Sequence, residues 1–173
     1  MNLSLAHWFQ SFAGRAPWLD QLIIFCANEL GWVEVVVLVL MAVFLFRRAQ
    51  AREATVAATL SALAAWSASM AIKLLYVSNR PFVGRPAAST LLTYGGPDSF
   101  PSSHATFFFA IAFALYFYHR RLGDLALLIA VLISLARVIA GLHWPLDIGG
   151  GVVLAALVAV GLHSLFPQWA SRR

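Results

Sequence analysis

The chain has 173 residues, 61% of them hydrophobic and 11% charged, with a mean hydropathy of +0.81. A soluble domain of this length needs far more charge to cover its surface, so composition excludes that class and points to lipid as the solvent. The net charge of +5 does not mark a nucleic-acid binder: the arginines stand at the ends of apolar runs, not along a polar face.

The first elements expected are two amphipathic helices at the membrane interface, Leu3–Phe12 and Trp18–Leu30. Pro17 to Phe46 is too short for two spans and a turn, which want roughly 40 residues, and residues 17–30 carry Asp20, Gln21, Asn28 and Glu29. Five apolar runs follow: Gly31–Phe46, Ala54–Tyr76, Ser103–His119, Gly123–Ala140 and Leu146–Phe166. Each approaches the roughly 17–25 residues of a membrane-crossing helix. The expected fold is an all-α integral membrane helix bundle with five full spans. A six-span arrangement, with Trp18–Leu30 as a short first span, is the alternative. Residues 1–173 read as one domain, without linker or repeat, and membrane insertion is expected to come from the spans rather than a signal peptide. The single cysteine, Cys26, excludes an internal disulfide and reads as a packing residue.

Orientation follows from the placement of Lys and Arg near span ends. Arg47, Arg48 and Arg52 share one loop, Arg120 and Arg121 another, and Arg172 and Arg173 close the chain. Alternating passes put these clusters on one side, the cytoplasmic one. Segments 77–102 and 141–145 then face outward. Trp32, Trp144 and Trp169 read as interfacial anchors.

Three polar segments, separate from those arginine clusters, fall on that outer side. They are Lys73-Leu-Leu-Tyr-Val-Ser-Asn-Arg80-Pro81, Phe100-Pro-Ser-Ser-His104, and Arg137-Val-Ile-Ala-Gly-Leu-His143-Trp-Pro-Leu-Asp147. Charge at the mouth of a membrane bundle is costly and marks a functional candidate. Lys73, Arg80 and Arg137 supply fixed positive charge suited to a phosphate dianion. Ser102 is placed to cap the helix behind it, leaving the N–H groups of Ser103, His104 and Ala105 as an anion site. The hydroxyls of Ser102 and Ser103 add donors. His143 and Asp147 are four apart, so a helix starting near Pro145 sets them on one face. The carboxylate can hold one ring N–H and leave the other nitrogen to attack, while His104 protonates the departing oxygen. Asp98 and Asp147 are the only aspartates near this face, too few carboxylates for a two-metal phosphatase. A reaction without metal or other cofactor is therefore expected.

These segments resemble the signature of the type 2 phosphatidic acid phosphatase superfamily, shared with vanadium haloperoxidases: K-x6-R-P, then P-S-G-H, then S-R-x5-H-x3-D. Lys73, Arg80 and Pro81 match the first part, Pro101, Ser102 and His104 the second, and Arg137, His143 and Asp147 the third. Ser103 stands where the pattern has glycine, and Ala136 where it has serine. The resemblance implies a helical core like that of the haloperoxidases. It also implies a phosphohistidine formed on His143, oriented by Asp147, with His104 as general acid. Lys73, Arg80, Ser102, Ser103 and Arg137 would bind phosphate. Within the superfamily the chain is similar to short bacterial undecaprenyl pyrophosphate phosphatases of the bacitracin-resistance type, through Arg80-Pro-Phe-Val83, Phe100-Pro-Ser-Ser-His-Ala-Thr106 and Gly141-Leu-His-Trp-Pro-Leu-Asp147. Arg85 is a further cation that can meet a second phosphate. The implied setting is the bacterial cytoplasmic membrane, with a polyprenyl pyrophosphate as substrate. A phosphatidylglycerophosphate or phosphatidate phosphatase, a lipid phosphotransferase and a non-catalytic lipid transporter are the alternatives. The sequence does not define an oligomeric state.

Overall fold

The computed structural model describes residues 2–45, 48–83, 90–96 and 98–165. Arg47, Arg85, Trp169, Arg172 and Arg173 lie outside the described residues. Among the described residues the helices are α1 (Asn2–Gln10), α2 (Pro17–Asn28), α3 (Leu30–Leu45), α4 (Ala49–Leu75), α5 (Ser103–Tyr118), α6 (Arg120–Ile139) and α7 (Pro145–Leu165). An isolated bridge pairs Asn79 with Asp98 in the long connection between α4 and α5.

α5 is the axis of the bundle. Its sequence has no polar face, and a helix apolar all round belongs inside other helices. Ala105, Thr106, Phe108, Phe109, Ala110, Ile111, Ala112, Ala114 and Leu115 are accordingly buried. α4, α6 and α7 pack around it. Small residues bring these helices close: Ala54, Ala58, Ala62 and Ala65 form the buried stripe of α4, and Gly151, Ala155 and Ala159 that of α7. The outward faces carry Leu125, Leu128, Val153 and Leu157, each more than half exposed, as lipid contact requires.

α4, α6 and α7 are each long and apolar enough to cross a membrane, and α2 with α3 passes the same test as one pair bent by 43°. The chain is thus a multi-pass membrane protein. α5, with 16 residues, is about 24 Å long and shorter than a hydrocarbon core of about 30 Å.

The N-terminal part is more integrated than its sequence suggests. α2 ends at Asn28 rather than Leu30, and it packs on α6 through Ile23 and Ala27 against Ala136, Ala140 and Leu142. Ala136, where the family pattern has serine, is therefore part of an apolar contact beneath α2. The C-terminal ends of α4 and α6 and the N-terminal ends of α5 and α7 meet at one end of the bundle. At the other end Arg48 precedes α4 and His119 caps α6, its Nδ1 accepting from Leu122 N at 3.4 Å.

Candidate active site

Local sequence rules set each helix end that builds the site. Ser102 is the N-cap of α5, its Oγ accepting from Ala105 N at 3.4 Å in the manner of serine caps. One expectation changes here: the Ala105 N–H is consumed by the cap, so the free helix-start donors are those of Ser103 and His104. α7 opens with Pro145 at its first position, where a missing N–H does no harm. Asp147, two residues on, reaches back so that Trp144 N donates to its Oδ2 at 2.7 Å, the acidic half of a capping box.

Backbone bonds tie the three polar segments together. Ser99 N donates to Ser78 O at 2.6 Å and Ser102 N to Asp147 O at 3.0 Å. Trp144 Nε1 donates to Asn79 O at 2.8 Å, so Trp144 clasps another segment of the protein as well as standing near a span end. Of the three glycines in the first two turns of α7, Gly150 and Gly151 serve close packing. An added Cβ would come 2.3 Å from the Phe100 ring at Gly150 and 3.0 Å from Ser102 O at Gly151. Gly149 faces open space.

His143 lies in the connection just before α7 and is 1% exposed; Asp147 is 2% exposed. Their closest approach, Nδ1 to Oδ2, is 3.5 Å, long for a hydrogen bond. Ser99 fills the gap. Its Oγ is 3.3 Å from His143 Nδ1 and donates to Asp147 Oδ2. With its one proton committed to the carboxylate, Ser99 can only accept from the ring, which assigns the hydrogen to Nδ1 and the lone pair to Nε2. Burial pushes the His143 ring below the ordinary histidine range; the nearby Asp147 carboxylate opposes this, and the charges of Arg137 and Arg80 reinforce it.

The cations surround this pair. Lys73 Nζ donates to Asp98 O at 3.0 Å, and Arg80 NH1 lies 3.5 Å from Leu142 O. The Arg80 guanidinium lies against Gly95, whose φ of +101° suits glycine. Arg137 is 2% exposed and its NH1 donates to Ala27 O on α2 at 3.0 Å, while Tyr94 lies within hydrogen-bonding reach of it. Lys73 feels the fields of Arg80, Arg137 and Asp147, and His104 those of Arg137, His143 and Arg80. Lys73, Arg80, Ser102, His104, Arg137, His143 and Asp147 therefore form one constellation. Ser103 sits at its edge, its hydroxyl 3.3 Å from that of Ser69 on α4. The serine in place of glycine thus ties two helices. Among the described residues no group of three His, Cys, Asp or Glu side chains gathers as a metal ion would need.

Sequence reasoning missed Ser99, Tyr94 and the Ala27 carbonyl. Ser99 adjoins the Phe100-Pro-Ser-Ser-His104 run and was within reach of a careful reading. The contacts of Tyr94 and Ala27 depend on the packing of α2, which no local pattern announces. Glu34 was also overlooked: it is 7% exposed on α3, and neither carboxylate oxygen has a hydrogen-bond partner.

An apolar bundle with one cationic, histidine-bearing end is the architecture of a membrane phosphatase. The PAP2 superfamily model matches residues 54–171, and the chain belongs to that superfamily. It is 33% identical to YbjG of Escherichia coli over 154 residues, covering 88% of this chain and 76% of that protein. It is 30% identical to the undecaprenyl-diphosphatase BcrC of Bacillus subtilis, covering 91% of this chain and 80% of the other. Its fold is that of Aquifex aeolicus LpxE, with a TM-score of 0.72 at 24% identity, covering 94% of each chain.

Proposed function

We propose that this protein hydrolyses a polyprenyl pyrophosphate, undecaprenyl pyrophosphate foremost, at the extracytoplasmic face of a bacterial cytoplasmic membrane. The observation that carries the reading is the Asp147–Ser99–His143 chain, which leaves the lone pair on Nε2 of a ring that feels the charges of Arg137 and Arg80 and acts in turn on His104. In the first step the Nε2 lone pair attacks the terminal phosphorus. The bridging P–O bond breaks, and its oxygen leaves with the lipid monophosphate, taking a proton from His104. In the second step His104, now neutral, removes a proton from water, which displaces phosphate from the phosphohistidine and restores both rings. Lys73, Arg80 and Arg137, with the N–H groups of Ser103 and His104 and the Ser102 and Ser103 hydroxyls, hold the equatorial oxygens as charge develops. Arg85, in the same connection as Arg80, is assigned the second phosphate. The side chains supply the charge neutralisation that magnesium gives elsewhere, and the reaction is metal-independent. In this reading α3 to α7 each cross the membrane, and residues 1–173 act as one domain.

The outward orientation is supported by Arg48, Arg52, Arg120 and Arg121, which stand at the opposite end from the site. The relative named an undecaprenyl-diphosphatase supports the substrate. The test is phosphate release by detergent-purified protein in EDTA, comparing undecaprenyl pyrophosphate with phosphatidylglycerophosphate. Preference for the pyrophosphate, abolished in His143→Ala, is expected. Preference for the glycerophosphate refutes the substrate, turnover in His143→Ala refutes the mechanism, and a strict magnesium requirement refutes the metal-free step.

A further inference from the structure

The last two residues of α2 both address the site. The Ala27 carbonyl accepts from Arg137 NH1 at 3.0 Å. Asn28 is reached by Tyr94, whose hydroxyl donates to Asn28 Oδ1 and also lies within hydrogen-bonding reach of Arg137. A guanidinium can only donate, so the Tyr94 oxygen accepts from Arg137 and commits its one proton to Asn28. That order fixes the amide, with its carbonyl oxygen toward Tyr94 and its NH2 group turned away. Among the described residues no acceptor takes a proton from that NH2 group, which leaves it available to a ligand. Two bonds of about 3 Å through one hydroxyl put Asn28 Oδ1 within about 6 Å of the Arg137 guanidinium. A second relation is independent of the first: Asn28 lines the same cavity, of about 470 Å³, as Ser103 and His104. Tyr94 is itself moored on both sides. Leu92 N donates to Ala140 O at 3.3 Å, Leu91 and Leu92 pack on the cluster joining α2 to α6, and Gly95 lies against Arg80.

In-line displacement gives this placement a meaning. The leaving oxygen stands opposite the attacking nitrogen of His143, and His104 protonates it. In a diphosphate that oxygen bridges to a second phosphate; in a monophosphate ester it bridges to carbon. A donor beside His104 therefore meets further phosphate oxygens only when the substrate is a diphosphate. We propose that Asn28 Nδ2 donates to the lipid-side phosphate, and that Asn28, aimed by Tyr94, makes the site favour diphosphates over monophosphate esters. Hydrogen bonds to ionised groups are roughly twice as strong as neutral ones, so one such donor is enough to separate the two classes. Arg85, assigned to the same phosphate above, brings charge, and Asn28 adds a donor fixed in direction. Tyr94 is a positioning residue that acts by aiming Asn28 and Arg137. The assignment rests on the proposed mechanism, because the place of the second phosphate follows from the roles of His143 and His104.

The test measures kcat/KM of the full chain in detergent for a prenyl diphosphate and for para-nitrophenyl phosphate, a monophosphate ester whose good leaving group favours turnover. Each variant is read as the change in that ratio from the parent. Asn28→Asp keeps the side-chain shape and an oxygen for Tyr94, and replaces the donor with a charge that repels phosphate. The diphosphate-over-monophosphate ratio should fall about tenfold, or roughly 1.4 kcal/mol. Asn28→Ala, which only deletes the donor, should lower it by a smaller factor. Gln21→Glu adds the same charge at an exposed position of α2 and should leave the ratio unchanged. Tyr94→Phe should slow both substrates through Arg137, and in an Asn28→Asp protein it should lower the ratio no further. An unchanged ratio in both Asn28 variants refutes the assignment, and so does an equal fall in Gln21→Glu. Turnover in His143→Ala is a different result: it sinks the mechanism on which the assignment stands.

Discussion

Ser99 holds the imidazole of His143 by accepting from it and donating to Asp147. Ser99→Ala removes both bonds and leaves Asp147 Oδ2 with the Trp144 N–H as its remaining donor. A loss of about 1–3 kcal/mol is typical of such a deletion, so kcat should fall roughly tenfold to a hundredfold by the same relation, with KM little changed. A KM effect alone would mean that Ser99 only shapes the pocket. The acid limb of the pH profile belongs to the same ring. Burial lowers its proton affinity, so in the proposed reaction the attacking nitrogen stays free as pH drops through the ordinary histidine value of about 6.5. Activity should persist below that pH and fail only further down. Asp147 favours the protonated ring, so Asp147→Asn should move the limb lower still while reducing kcat. Profiles of kcat/KM for both proteins with one substrate check this, and an upward shift would refute it. At this scale the gathering of Lys73, Arg80, Arg137, His143 and Asp147 was legible from their spacing. It was silent on Tyr94 and Ala27, because Arg137 meets a carbonyl 110 positions away.

At the scale of the element, the helix starts were readable because capping is local: serine before α5, and proline with aspartate at the opening of α7. The role of α2 was not. Its polar residues suggested a helix resting on the membrane, whereas its inner face packs on α6 and its Ala27 carbonyl takes up Arg137. Such docking is decided by shape and distance, not by periodicity. The glycines of α7 give the sharpest check. Gly150→Ala drives a methyl into Phe100, two residues before the cap of α5. Overpacking of this kind costs about 1–3 kcal/mol, and both Tm and activity should drop. Gly149→Ala meets no atom within 4 Å and should match or exceed the parent Tm, since alanine is the better helix former by about 1 kcal/mol. Equal losses in both would show that α7 does not meet the segment before α5 there.

For the whole molecule, the division between an arginine-rich end and a catalytic end predicts opposite accessibilities. In a Cys26→Ser background, Gly96→Cys should react with a membrane-impermeant maleimide in intact spheroplasts. Asp124→Cys should react only after the cells are opened. The reverse pattern would invert the protein in the membrane. The bundle itself was foreseeable from hydropathy, but the number of crossings was not, because α5 is short and α2 and α3 are joined through a 43° bend.

The stitches between the polar segments, Ser99 to Ser78, Ser102 to Asp147 and Trp144 to Asn79, lie in connections that face water, where amide protons ordinarily exchange first. Here each connection is moored to another, and none can open alone. The backbone amides of Ser99 and Ser102 and the indole N–H of Trp144 should therefore exchange as a single slow class. In harsh detergent the catalytic end should come apart in one step, like an arch from which one stone has been drawn, while the helices beneath remain wound.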